Sequence, residues 1–162
     1  MQFQFPELPK TEADFRSMPT FGFDSPFKVA ALLIVALTSW KDNREECYQM
    51  IDALKGPQKM SPMDRQFVRD RMMSKGDYLA KAYFNGATPE NNYTPTEPFT
   101  IEVKENPYTY DDPGYARVQV ITKGADSPRY ITLRQKGEEW FLWEFAGILS
   151  DIRKPKEEDP WA

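Results

Sequence analysis

The run V-A-A-L-L-I-V-A-L at residues 29–37 decides how the rest of the chain must be arranged. It follows Ser25-Pro26, a pair typical of the N-cap and first position of a helix, because proline lacks only an amide that would have no partner there. A helix that is apolar on every face must be buried on every face. We therefore expect residues 27–40 to form a central helix with other elements packed around it.

Three further helices are predicted after this run. Residues 42–54 combine capping-box spacing with an apolar stripe at intervals of three and four, and Gly56-Pro57 ends the pattern. Ser61-Pro62 begins the next helix, and Asp77 begins a short fourth one. The helical layer is therefore expected to span residues 24–86.

The apolar spacing then changes from helical to alternating. Four segments alternate apolar and polar residues, and K-G-E-E at 136–139 is a tight connection between the last two. Four consecutive strands joined by turns predict an antiparallel meander with helices on one face. The predicted fold class is α+β, with about four helices packed on a four-stranded antiparallel sheet at residues 98–146. The strands begin at Phe99, Ala116, Ile131 and Trp140.

A chain of 162 residues fits one domain, residues 1–162. Residues 1–23 are expected to form an irregular arm, because three prolines punctuate them, and residues 153–162 form a polar tail. The opening MQFQFPELPK has no basic segment followed by an apolar core, so we expect no signal peptide. The longest apolar run is also short for a bilayer, and we therefore expect a cytoplasmic protein with no membrane partner.

Composition argues against several functional classes. The net charge is −4, whereas binding to nucleic acid needs a clustered excess of lysine and arginine. Histidine is absent, which removes the usual general base and the usual zinc ligand. The single cysteine, Cys47, lies on a predicted apolar stripe and is interpreted as a core residue rather than a nucleophile. We expect no metal site, no cofactor and no nucleic-acid partner.

Aromatic residues in the last strand form the sharpest candidate site. Alternation along W-F-L-W at 140–143 sends Trp140 to one face of the sheet and Trp143 to the other. If helices cover one face only, the other exposes Trp143 unless the N-terminal arm, a second subunit or a ligand covers it. The same residues also fit an ordinary core strand that is buried on both faces.

Aromatics in the loops and the tail extend this candidate surface. Exposed rigid aromatics near loops can form a recognition surface, although tyrosines also commonly cover the apolar edge of a sheet. A tryptophan in a charged tail either docks on its own domain or meets a partner. The candidate binding residues are Tyr93, Tyr108, Tyr110, Trp140, Trp143 and Trp161.

The second half of the chain resembles a known group of proteins through its N-N-Y-T-P, A-D-S-P-R-Y-I-T-L-R and W-F-L-W-E phrases, at residues 91–95, 125–134 and 140–144. It resembles an uncharacterised family of small bacterial proteins, a domain of unknown function found largely in Firmicutes. The resemblance implies a bacterial cytoplasmic protein and no particular activity. At the level of fold, the strand pattern is also similar to the NTF2-like superfamily, in which a curved sheet can enclose an apolar pocket.

Two functional hypotheses follow. The first is a non-enzymatic binding or protein-interaction module, with a possible homodimer or protein partner at the aromatic surface. The alternative is an NTF2-like small-molecule pocket, or a weak histidine-independent enzyme using Asp111 or Asp112 with Tyr108 or Tyr110. The alternative requires the carboxylates to lie inside an apolar cavity, where desolvation would raise their pKa. The D-D-P-G sequence at 111–114 also fits an ordinary turn.

Overall fold

The computed structural model describes residues 1–162 as an α+β fold with four α-helices and a five-stranded antiparallel sheet. The helices are α1 (Glu12–Ser17), α2 (Pro26–Leu37), α3 (Arg44–Lys55) and α4 (Pro62–Met72). The strands are β1 (Gln2–Phe5), β2 (Phe99–Lys104), β3 (Tyr115–Val120), β4 (Arg129–Lys136) and β5 (Glu139–Glu144), and they lie in this order across the sheet. Short 3₁₀ helices occupy Ala80–Tyr83, Pro89–Asn91, Ala146–Leu149 and Lys156–Glu158.

Helix α2 is the centre of the molecule, as its sequence predicts. Eleven of its twelve residues are buried, and it packs against α3 and against strands β2 to β5. Ser25 caps its start by accepting a hydrogen bond from the Lys28 amide, and Pro26 occupies the first turn. A helix with no polar face gains most from burial on all sides, so the sheet and the other helices enclose it.

Helices α3 and α4 begin at side-chain caps, and α3 packs against α2 while α4 packs against the 3₁₀ helix at Ala146–Leu149. Asn43, rather than Asp42, caps α3 by accepting from the Glu46 amide. Ser61 and Asp64 form a reciprocal capping box at the start of α4. The loop between the two helices turns at Gly56, where the backbone φ is 62°.

The N-terminal segment corrects the prediction of an irregular arm and of a four-stranded sheet. Strand β1 pairs antiparallel with β2, placing Phe3 opposite Ile101, and makes the sheet five-stranded. The alternation of glutamine and phenylalanine at residues 2–5 is a period-two pattern, which the prolines that follow it obscure. Helix α1, capped by Thr11, then buries Phe15 completely.

An aromatic chain continues from α1 to the far side of the sheet. The ring centroids of Phe15 and Phe21 are 5.3 Å apart, those of Phe21 and Phe23 are 5.4 Å apart, and those of Phe23 and Phe141 are 4.9 Å apart. The carbonyl oxygen of Phe23 also accepts a 2.8 Å hydrogen bond from the Trp140 amide. The N-terminal segment therefore forms one edge strand of the sheet, β1, and contacts the other edge strand, β5, through Phe23.

The predicted fourth helix is also corrected. Only Ala80–Tyr83 is helical there, with 3₁₀ geometry and no side-chain cap. The Asp77 carboxylate forms an ion pair with Lys41 instead of capping this segment. The buried Tyr83 hydroxyl donates to the Ile148 carbonyl oxygen at 2.6 Å, which ties this short helix to the segment after β5.

Cys47 is a buried residue of α3, and burial raises the pKa of its thiol to about 12. At pH 8 the thiolate form, which is the reactive one, is therefore nearly absent in the folded protein. We expect Ellman's reagent to label native protein far more slowly than protein unfolded in guanidinium chloride. A native thiol that reacts as fast as free cysteine would contradict this burial.

Candidate functional site

Strand β5 is an edge strand, so one of its sides has no neighbouring strand. The β4–β5 register places Arg134 opposite Phe141 and Leu133 opposite Leu142. In an antiparallel pair the backbone groups of alternate residues point away from the partner strand. Trp140 is such a residue, because its amide donates to Phe23 outside the ladder. Leu142 is the next, and its outward backbone groups make no hydrogen bond to another strand or loop, although the residue is only 1% exposed.

Trp143 occupies a β-bulge beside this free edge. Thr132 pairs with Glu144 and Leu133 pairs with Leu142, so Trp143 is the extra residue on β5. A bulge bends its strand and changes the direction in which the extra side chain points. The bulge also breaks the alternation along β5, and Phe145 lies in the buried core cluster. Trp143 itself is half-buried, which corrects the interpretation of β5 as a strand buried on both faces.

A groove of about 210 Å³ lies between Trp143 and the loop after α3; we call it the Trp143 groove. Its floor is the β5 run of Phe141, Leu142 and Trp143. Three cationic side chains stand around this floor, Lys55, Arg134 and Lys136. Pro57, Gln58 and Gln135 complete the lining. The groove therefore has an apolar floor and a basic rim.

The charge around the Trp143 groove contrasts with that of the whole chain. No carboxylate lines it, although the protein has a net charge of −4. None of the three side chains, Lys55, Arg134 and Lys136, takes part in an ion pair. The Arg134 guanidinium instead lies 4.6 Å from the centroid of the Trp143 ring, a cation–π contact. These cations are free to pair with a negatively charged molecule.

The apolar surface continues from the Trp143 groove towards α4. A second hollow, of about 290 Å³, shares Lys55 and Trp143 with the groove and is mostly apolar. Met63 and Phe67 form its α4 side, and Met63 is 81% exposed. Asp64 and Glu144 also line this hollow. The Asp64 carboxylate is used in the α4 cap, and Glu144 accepts from the Ala146 amide at 2.7 Å.

The wall of the Trp143 groove is held in place by Asp52 and Gly56. One carboxylate oxygen of buried Asp52 accepts from the Met60 amide at 2.8 Å, and the other accepts from Arg65 at 3.0 Å. This hydrogen bond is the main cause of the raised pKa of the Arg65 guanidinium. Gly56 lies against the Phe141 ring, so closely that an added Cβ would be 2.3 Å from a ring carbon. Both contacts fix the loop at residues 56–60 beside β5.

The structure separates the predicted aromatic residues into several locations. Tyr110 packs against Trp140 at the start of β5, with ring centroids 6.2 Å apart, and Tyr108 nearby in the chain is 71% exposed. Trp143 lies at the other end of β5, in the groove. Trp161 is 93% exposed in the tail. The candidate residues therefore do not form one continuous surface.

Tyr93 has a structural position. It is buried and stacks on Tyr78, with ring centroids 5.6 Å apart. Its hydroxyl donates to the Arg153 carbonyl oxygen at 2.6 Å, and burial raises its pKa to about 12. These contacts anchor the start of the tail, so Tyr93 is unavailable to a binding surface.

The hypothesis of an acid–base enzyme using Asp111 or Asp112 requires these carboxylates to be buried, and the structure does not bury them. Asp111 and Asp112 are both exposed, whereas that hypothesis needed carboxylates inside an apolar cavity. A hollow of about 840 Å³ at the end of α2 is lined mostly by polar residues, and Lys41 and Asp77 on its wall pair with each other. No three histidine, cysteine or carboxylate side chains cluster as metal ligands would. The residues of the Trp143 groove offer cationic and aromatic contacts.

The sequence patterns above do not select the rim residues Lys55, Arg134 and Lys136. The strand register does, however, predict the contact of Arg134 with β5. The K-G-E-E connection pairs Lys136 with Glu139, and two steps along the ladder place Arg134 opposite Phe141. A register argument would therefore have put Arg134 beside the aromatic strand. Lys55 comes from α3, and no sequence pattern places the end of that helix next to β5.

The fold and this site define a class of protein, an α+β domain that encloses one apolar helix and presents an aromatic groove at a sheet edge. The chain belongs to the family described as Domain of unknown function (DUF6935), whose model matches residues 7–156. This confirms the resemblance to an uncharacterised family. No curated protein and no solved structure matches the chain, so the NTF2-like likeness has no support. None of the helices has the length and hydrophobicity required to cross a membrane.

Proposed function

We propose that the chain is a non-enzymatic protein-interaction module whose Trp143 groove binds an extended partner segment carrying acidic and apolar side chains. One observation carries the proposal. Beside the edge of β5, a half-buried and bulged tryptophan meets three cations that have no carboxylate partner. An apolar floor with a charged rim suits a segment that carries both apolar and acidic side chains, because interfaces pair complementary charges.

The partner segment would lie across the floor of the groove. Leu142 is only 1% exposed, so its backbone is not open to strand pairing, and the contacts are made by side chains. Arg134 lies opposite Phe141 and two residues from Lys136, so these cations and the aromatic floor share one face of the sheet. Apolar side chains rest on Phe141 and Trp143, and acidic ones reach the Lys55, Arg134 and Lys136 cations. Specificity for acidic and apolar residues follows from this pairing.

The size of the groove favours a peptide segment over a small molecule. Pockets for drug-sized ligands usually enclose about 300–1,000 Å³ and surround most of the ligand. The Trp143 groove is smaller, about 210 Å³, and continues into the second hollow along α4. A shallow and elongated surface of this kind fits a chain segment that lies across it.

The cellular setting belongs to the same proposal. The family resemblance supports a bacterial protein, and the lone buried Cys47 without a disulfide is compatible with a reducing cytoplasm. The net charge of −4 supports a protein partner rather than nucleic acid, because the groove supplies only a local group of cations.

Replacing Trp143 with alanine tests the proposed site. The probe is a short fluorescent peptide of alternating glutamate and leucine, measured by anisotropy at low salt. We expect Trp143→Ala to weaken its binding about tenfold, as for a central aromatic contact. Arg134→Gln and Lys136→Gln should each weaken it a few-fold, and added salt should reduce the difference, since exposed charges are screened.

Tyr108→Ala is the matched control, because Tyr108 is an exposed aromatic that does not line the groove. Its affinity for the peptide should equal that of the unmodified protein. A companion peptide with lysine in place of glutamate should bind far more weakly. Unchanged affinity in Trp143→Ala, or equal affinity for the two peptides, would rule out the groove as the site.

A further inference from the structure

The end of the tail presents a tryptophan beside unpaired carboxylates. Residues 157–162 read E-E-D-P-W-A; we call them the tail segment. Glu157 and Glu158 are exposed and take part in no ion pair, and Trp161 is 93% exposed. An isolated tryptophan at this exposure leaves a large apolar ring in water, which burial against a partner would relieve.

A local turn holds Trp161 in this position. The Trp161 amide donates to the Asp159 carboxylate at 2.9 Å, and the Ala162 amide donates to the Asp159 carbonyl oxygen at 3.2 Å. Pro160 between them further restricts the backbone. A segment that is already ordered loses less conformational entropy when it binds. The turn therefore makes Trp161 a suitable anchor for association.

The tail segment and the Trp143 groove are complementary. The groove offers an aromatic floor and the cations Lys55, Arg134 and Lys136 without a carboxylate. The tail segment offers a tryptophan and the carboxylates of Glu157 and Glu158, without a cation. The two parts therefore carry opposite charges, and each offers an aromatic surface to the other.

We infer that the Trp143 groove of one copy binds the tail segment of a second copy of this chain. The inference rests on the proposed function and names the partner of that site. Within one copy the tail segment is held elsewhere, because the Glu157 amide donates to Asn92 at 2.9 Å and the 3₁₀ helix at Lys156–Glu158 packs on the one at Pro89–Asn91. No tail residue lines the groove.

The contact joins two different surfaces, so it is heterologous. Heterologous contacts generate rings or open chains unless two copies exchange their tails reciprocally. A short segment buries much less area than a stable dimer requires, so one contact should be weak. Association should therefore depend on protein concentration and should weaken as salt screens the charges.

Complementation between two variants of the full chain tests the inference. Analytical ultracentrifugation at low salt should show the mean mass of the unmodified protein rising with concentration. Trp161→Ala and Trp143→Ala should each remain monomeric. Mixing the two variants should restore association as a pair, because the first keeps an intact groove and the second an intact tail. Tyr108→Ala should associate like the unmodified protein.

The outcomes separate this inference from the proposed function. If the unmodified protein stays monomeric, or if Trp161→Ala still associates, the second copy is not the occupant. The proposal that the Trp143 groove binds a partner segment is still supported if Trp161→Ala binds the glutamate–leucine peptide and Trp143→Ala does not. If the two variants fail to associate on mixing, the tail-to-groove contact is wrong. If Trp143→Ala changes neither association nor peptide binding, both proposals fail.

Discussion

Alanine in place of Gly56 is expected to lower the free energy of unfolding by about 3–5 kcal/mol, the sum of backbone strain and a forced overlap. The backbone at Gly56 has φ 62° and ψ −117°, a conformation that residues with a Cβ avoid. The new Cβ would also be 2.3 Å from a carbon of the Phe141 ring. Urea unfolding monitored by circular dichroism gives the change directly.

Gly137→Ala is the matched control for this prediction. Gly137 has the same φ of 62°, but no atom lies within 4 Å of an added Cβ. Its substitution should therefore cost only the backbone strain, about 1–2 kcal/mol. The difference between the two variants measures the overlap with Phe141 together with any further backbone strain from the ψ of −117° at Gly56. Equal losses of stability would show that the loop after α3 does not press on β5.

Asp52→Ala should lower the free energy of unfolding by about 2–4 kcal/mol, the second large effect. Most of the loss comes from the buried Met60 amide, which would keep no hydrogen-bond partner and costs about 1–3 kcal/mol. The ion pair with Arg65 contributes less, because Arg65 is 36% exposed and water screens its charge. The same unfolding measurement applies.

Two further substitutions, Asp52→Asn and Glu45→Ala, separate the contribution of the Met60 hydrogen bond from that of the Arg65 ion pairs. Asp52→Asn keeps a carbonyl oxygen for the Met60 amide and should lose only part of the stability, about 1–2 kcal/mol. Glu45→Ala removes the other carboxylate near Arg65, at 3.4 Å and well exposed, and should change stability by less than about 0.5 kcal/mol. A loss in Glu45→Ala as large as in Asp52→Ala would contradict the role given to the Met60 amide.

The features that the sequence predicts correctly are those encoded by local periodicity. The apolar run at residues 29–37 predicts the buried helix α2, because no exposed position would be tolerable for it. The alternating segments predict β2 to β5, and K-G-E-E predicts the hairpin between the last two. In each case neighbours in the chain carry the whole pattern, so no knowledge of distant contacts is needed.

The features that escape prediction depend on contacts between distant residues. Strand β1 is only four residues long, and it is stable because β2 lies beside it. The bulge at Trp143 shows no signal in the W-F-L-W-E sequence, and it is visible only in the register with β4. The same holds for the candidate site. The sequence alone selects Trp143 as a candidate binding residue, whereas Lys55 lies beside it only because α3 packs against β5.

The pairing of β1 with β2 has a consequence for the order in which the protein folds. Gln2 pairs with Glu102, so β1 leaves the ribosome before its partner strand β2 has been synthesised. Its pairing closes a long loop and therefore makes a contact of high sequence separation. Helices α2 to α4, whose backbone hydrogen bonds join residues close in sequence, can form earlier. Residues 2–5 are thus synthesised before their partner strand and are among the last to reach their native place.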